Sequence, residues 1–168
     1  MPYTIHQQLA YNVWANEELA KTVDRVTEEQ LMQPVLSSYP TLRETLLHIW
    51  EAQVIWPSRM QNKVMDKWPR LSFAGGKKEV MEALVTSAKD MQKFASEAGS
   101  EFLAEKMIYR NMRNMPYETV KEEILFHVVN HGSYHRGQAI TIIRGLGITK
   151  IDNTDLITYL RISAGQQV

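Results

Sequence analysis

Two imidazoles four residues apart, His131 and His135, are the side chains of this sequence best suited to chemistry. They fall in the stretch Phe126–Gln138, which also holds His127. Set Ile124 at zero on a helical wheel of about 100° per residue. Val128 then lies near about 40°, His131 about 340°, His135 about 20° and Gln138 about 320°. Both rings stand on one apolar stripe, one turn apart, and can reach a common point. A buried polar ring needs a partner, and a shared metal ion would satisfy both. His-x-x-x-His is the spacing of helical zinc pairs. Taken singly, either histidine reads as a hydrogen-bonded core residue. Gly132 stands where a zincin carries its glutamate, so a metallopeptidase of that class is not expected.

A third ligand must come from another helix, and His48 in Leu46–Glu51 is the candidate. That helix is apolar on most sides, so the pattern leaves His48 equally open as a buried structural residue. Three histidine ligands leave a coordination position free, as catalytic sites do. The ligand set suits Zn, Ni, Fe or Cu alike. A di-iron bundle needs Glu-x-x-His pairs. Glu44 and His48, like Glu123 and His127, are one residue too far apart and read as i,i+4 helix pairs. Glu51, a turn beyond His48, is a candidate base, but reads more readily as a surface carboxylate or one that touches a ligand. His127 is the candidate fourth ligand of a closed site. His6 reads as a surface residue.

Around these residues the helical signals dominate. A first helix is expected over 4–26, with Leu9, Val13, Trp14, Leu19 and Val23 at helical spacing. Capping-box patterns at Thr27, Thr41 and Thr119 open a short helix ending by Pro34, a long helix to about Lys67 and another to Arg144. Pro57 lies inside the second of these as a potential kink. Gly75-Gly76 breaks the chain, a helix runs over 77–98, and Gly99 closes it. Residues 100–116 read as a short strand or an extended loop, and Asn153-Thr154-Asp155 caps a last short helix. Four long helices sharing one core give an all-α fold, a four-helix bundle of up-down or related topology.

The 168 residues suit one domain. With 44% hydrophobic residues the composition is globular, and 19 basic against 19 acidic residues leave no field to draw nucleic acid or an anionic membrane. The absence of cysteine excludes disulfides, thiolate ligands and a cysteine nucleophile, so any metal site uses His and carboxylate. No signal peptide and no run of about 18 apolar residues is present, which makes the cytoplasm the expected location. Trp14, Trp50 and Trp56 are expected in the core or at a dimer contact. Arg136 points off the ligand stripe and is expected to pair with a carboxylate or touch another helix. Asn16 is expected to bond a neighbouring backbone, and Tyr134 to face either pocket or interface.

His131-Gly-Ser-Tyr-His135-Arg136-Gly137-Gln138 resembles the last-helix motif of the DinB family, a DinB/YfiT-like group named for a damage-inducible gene. Tyr11–Asn16, Thr41–Ile49 and Asp155–Leu160 resemble its other signatures, so the likeness spans nearly the whole chain. It implies a four-helix bundle of crossed connectivity, frequent homodimers, a stress-response setting, and a metal held by His48, His131 and His135. Some relatives transfer a low-molecular-weight thiol, others are called hydrolases, and many have no known reaction. Three functions are therefore weighed: thiol S-transferase acting on a small-molecule electrophile, hydrolase using a metal-bound water, and non-catalytic metal-binding bundle.

Overall fold

The computed structural model describes residues 3–63, 65, 67–111 and 113–167. Helix α1 covers Ile5–Val23, α2 Glu28–Met32, α3 Leu42–Met60, α4 Lys77–Ala104, α5 Lys121–Gly145 and α6 Leu156–Ser163. A 3-10 turn, Pro69–Ser72, follows α3, and strands β1 (Lys106–Arg110) and β2 (Pro116–Val120) form an antiparallel hairpin before α5.

Local chemistry explains most boundaries. Thr4 and Gln7 form a reciprocal capping box at α1, as Thr27 and Gln30 do at α2. At α3 only half of the expected box exists. Thr41 accepts from the Glu44 backbone N–H, but the Glu44 carboxylate turns to Arg70 instead. The box expected at Thr119 does not form: Thr119 is in β2, and α5 starts at Lys121 without a side-chain cap. The Lys121 N–H donates to the Glu105 carbonyl, and its ammonium pairs with the Glu105 carboxylate at 2.6 Å. Hairpin closure, not a cap, therefore sets where α5 begins. α3 ends at Met60 rather than near Lys67, and Pro57 is accommodated in its last turns. Gly99 sits at φ 77°, ψ 163°, and breaks α4 where the sequence placed its end; one further turn follows.

Each of α1 and α3 packs against both α4 and α5, so the order around the bundle is α1, α4, α3, α5. Chain neighbours α1 and α3 are thus diagonal, as are α4 and α5. This is the crossed connectivity the resemblance implies, not a simple up-down order. The core has two apolar clusters, one around Leu19, Leu46, Leu84 and Ile143, the other around Leu9, Met91, Leu125 and Val129. Between them in sequence lie Asn12 and Asn16 of α1, Gln53 of α3, Ser87 of α4 and Arg136 of α5, all buried. They form a polar layer across the bundle.

Candidate metal centre

Packing of α3 against α5 brings His48 to the His131/His135 pair. One ring nitrogen from each of the three histidines lies within 4.8 Å of those of the other two. The Nε2 atoms of His48 and His131 are 2.9 Å apart. The ring centroids are 4.6 Å apart for His48 and His131, 4.6 Å for His48 and His135, and 4.4 Å for His131 and His135. The wheel thus places His131 and His135 correctly, and the structure supplies the orientation of His48 that the pattern left open.

Electrostatics favour the ligand form of these rings. Burial, reinforced by the other imidazoles, pushes His48 down to about 4 and His131 to about 3. Burial also lowers His135, against the opposing effect of Gln138. The rings are therefore neutral at pH 7, as metal ligands must be. Gln138 Oε1 lies 2.7 Å from His135 Nδ1, so that nitrogen donates and Nε2 keeps its lone pair. Gln138 is itself anchored on Ser38 at 3.1 Å. His131 Nδ1 is buried with no hydrogen-bond partner among the described residues. Three neutral nitrogen donors, facing one another rather than protein donors, fit a transition metal.

A second layer was not legible in the sequence. The Tyr39 ring lies 4.5 Å from the His48 ring, and the Arg70 guanidinium 5.4 Å from the Tyr39 ring. Burial raises the Tyr39 hydroxyl above its ordinary value, so the phenol is neutral. Arg70 donates from Nη1 to Glu44 at 3.0 Å and from its backbone N–H to Glu51 at 3.1 Å. These bonds strap the 3-10 turn across α3. Tyr39 and Arg70 lie in segments without periodicity, so no pattern singled them out.

A cavity of about 250 Å³ opens beside the rings, lined by His48 and His131 together with Glu51, Trp56, Tyr109 and His127. Glu51 is 5% exposed, so it is not a surface carboxylate, and Arg70 occupies it. His127 is exposed and stands outside the ligand cluster, its ring 5.7 Å from that of His131 and 6.0 Å from Trp56. It is a cavity wall, not a fourth ligand. Trp56 packs against the second apolar cluster, as expected, and also lines the cavity, while Trp50 packs on Phe73 and Trp14 on Tyr159. Glu44 bonds Arg70 and not His48, and His6 is exposed as expected. Tyr134 is exposed, edge-on to His135, and borders an open groove on the outer face of α5.

The DinB family model matches residues 1–166. The chain belongs to the DinB family. Protein DinB of Bacillus subtilis (strain 168) is 29% identical over 157 residues, spanning 89% of this chain and 90% of that protein. The crystal structure of a DinB-like protein from Bacillus cereus ATCC 10987 superposes with a TM-score of 0.67 at 21% identity. That match covers 89% of this chain and 97% of the other, and it supports the DinB fold. Among the described residues no helix is long and apolar enough to cross a membrane.

Of the two contacts expected for Arg136, a carboxylate or another helix, the structure shows the second: the guanidinium bonds α1. Arg136 is 1% exposed and donates from Nη1 to Asn12 Oδ1 at 2.8 Å and Asn16 Oδ1 at 3.0 Å. Asn16 bonds this guanidinium and Gln53 Oε1, not a neighbouring backbone. The wheel centred on Ile124 captured one row of a two-row stripe. Leu125, Val129, Gly132, Arg136 and Ile143 form the other row and are buried as well.

Proposed function

We propose that this DinB protein holds one divalent transition metal, Zn or Ni, on His48, His131 and His135, and transfers a low-molecular-weight thiol to a small-molecule electrophile. One observation carries the reading: three neutral imidazoles converge, two of them at a cavity wall, with no fourth protein ligand among the described residues. An ion in such a three-ligand site has a position left for substrate and lowers the pKa of a coordinated thiol. The chain supplies the rest. Gln138 fixes the His135 tautomer, Tyr39 packs the His48 ring in place, and Trp56 and Tyr109 wall the reacting end from water. His127 stands where it can accept the thiol proton and release it to solvent. A carbon–sulfur bond forms as the leaving group departs with its electron pair, so no oxidant or reductant is consumed.

The hydrolase reading assigns the base to Glu51, which is already engaged by Arg70. The homodimer of the family belongs to this reading too, and exposed Met32, Leu36 and Tyr134 offer apolar surface for it. The test is a matrix of small thiols against alkylating electrophiles, run on Zn- and Ni-loaded protein. Thioether formation that disappears in His131→Ala supports transfer. Turnover of ester or amide substrates without thiol would favour hydrolysis, and inactivity in both would leave a metal-binding bundle.

A further inference from the structure

We propose that the cavity beside the histidines continues into a second compartment that binds the anionic end of the substrate, a carboxylate or phosphate, through Arg59, Lys63 and Lys67. The thiol end rests on the transfer reading above; the anion end rests on separate observations. A cavity of about 240 Å³ adjoins the first, and the two share Ile55, Arg59 and Trp68 as common wall. Among the described residues its lining carries Arg59, Lys63 and Lys67 and no carboxylate. Among the described residues none of these three cations forms an ion pair. Arg70 just beyond them is held by two carboxylates. Three cations at one mouth, on a chain whose total charge is zero, form a local positive field.

Arg59 is the positioned member. Its guanidinium lies 5.0 Å from the Trp56 ring centroid. A stacked guanidinium keeps its N–H edge available for a carboxylate or phosphate fork. Residues 48 and 59 are about three turns apart, so they share one face of α3. Residues 48 and 56, the level to which Arg59 folds back, are separated by about 12 Å of helix. The geometry thus selects a ligand with sulfur at one end and an anion on the order of 10 Å away. A thiol as short as mercaptoethanol cannot reach both ends.

The experiment uses Co(II)-loaded full chain, whose visible spectrum reports a sulfur ligand. 8-Mercaptooctanoate, 8-mercaptooctyl phosphonate and uncharged 8-mercaptooctanol are titrated in turn. At least one anionic thiol should bind about ten-fold tighter than the alcohol, and the stronger of the two tells carboxylate from phosphate. Arg59→Gln should reduce that preference below about two-fold while the thermal melt stays at the parent value. Should Arg59→Gln unfold, the Lys63→Gln/Lys67→Gln double variant carries the same comparison. Equal affinity for charged and uncharged thiols overturns the proposal. If no thiol changes the spectrum, the transfer reading falls. Calorimetry of octanoate against octanol on metal-free protein then decides the compartment alone: an Arg59-dependent preference for octanoate upholds it, and no preference overturns it.

Discussion

Two polar clusters lie inside the same bundle, on successive residues of α5, and they are completed in different ways. Around Arg136 the chain supplies partners for both terminal nitrogens, and only Nε has none among the described residues. The guanidinium bonds Asn12, Asn16 and Ser133, both asparagines donate to Gln53 Oε1, and the Gln53 amide donates to Leu84 O and Ser87 Oγ. Among the described residues no carboxylate takes part, so amide and hydroxyl dipoles solvate the charge, and burial pulls the guanidinium below its ordinary value. Around His135 the Nε2 atoms of His48 and His131 face each other at 2.9 Å beside a cavity, and on the other side of the His131 ring Nδ1 has no partner among the described residues. A buried polar group costs free energy until it is bonded. The first cluster meets most of that cost from within the protein and ties all four long helices together. The second leaves it to be met by something bound. The first should therefore govern stability, and the second ligand binding.

The sharpest way to break this division is to remove a ligand. His48→Ala or His131→Ala should reduce metal content from about one ion per chain to near zero, read by elemental analysis of untagged protein. A variant that keeps its metal would sink the three-histidine site. Next in size is Arg136→Met, which leaves Asn12 Oδ1 and Asn16 Oδ1 buried and unpaired. Each such group costs about 1–3 kcal/mol, so urea unfolding should show a loss of about 3 kcal/mol or more. Metal stoichiometry in the folded fraction should not change. Metal lost in proportion to the Arg136 lesion would mean that the two clusters are one.

Acid should separate the clusters more gently. His48 and His131 titrate in the unfolded chain near the ordinary 6.5, but in the folded protein only at about 4 and about 3. Between those values the unfolded state binds more protons, so stability falls as pH falls. The melting temperature of metal-free protein should be level above pH 7, decline from about 6.5 downward, and flatten again once pH is below the folded values. His48→Gln/His131→Gln should flatten the decline, whereas Arg136→Met should lower the whole curve and leave its slope intact. A parent curve that stays level between pH 7 and 4 would contradict the buried neutral triad.

The sequence carries the site more completely than its surroundings. His131 and His135 announce themselves through periodicity, because a polar pair on an apolar stripe needs a reason. The helices, the Gly99 break and two of three capping threonines are legible because their chemistry is local. What escapes is set by distant packing. Thr119 has the spacing of a cap but is claimed by β2, whose partner strand begins at Lys106. Arg136 looks like a solvent-side residue until α1 covers a second face of α5. Tyr39 and Arg70 reach the site from irregular segments, where no period exists to betray which way a side chain points. The orientation of His48 is decided by α5, which lies far away in the chain.

Gly132 tests the tightness of the Arg136 layer with the smallest perturbation. A Cβ there would stand 3.1 Å from Arg136 Nη1 and 3.2 Å from Asn12 Oδ1, closer than such atoms usually approach. Its position one residue beyond His131 makes it look like part of the metal motif, yet the space it leaves is used by the guanidinium and the asparagine. Gly132→Ala has two opposing effects. Alanine in a helix interior gains about 0.5–1 kcal/mol over glycine, and overpacking a close-fitted interior costs about 1–3 kcal/mol. The second is expected to prevail, giving a net loss of about 1 kcal/mol in urea unfolding with metal content unchanged. In Gly132→Ala/Asn12→Gly the asparagine is gone and the guanidinium can shift, so the added methyl should cost less than it does alone. A stabilised Gly132→Ala would show that the layer yields, and that Gly132 is held there by the metal site instead.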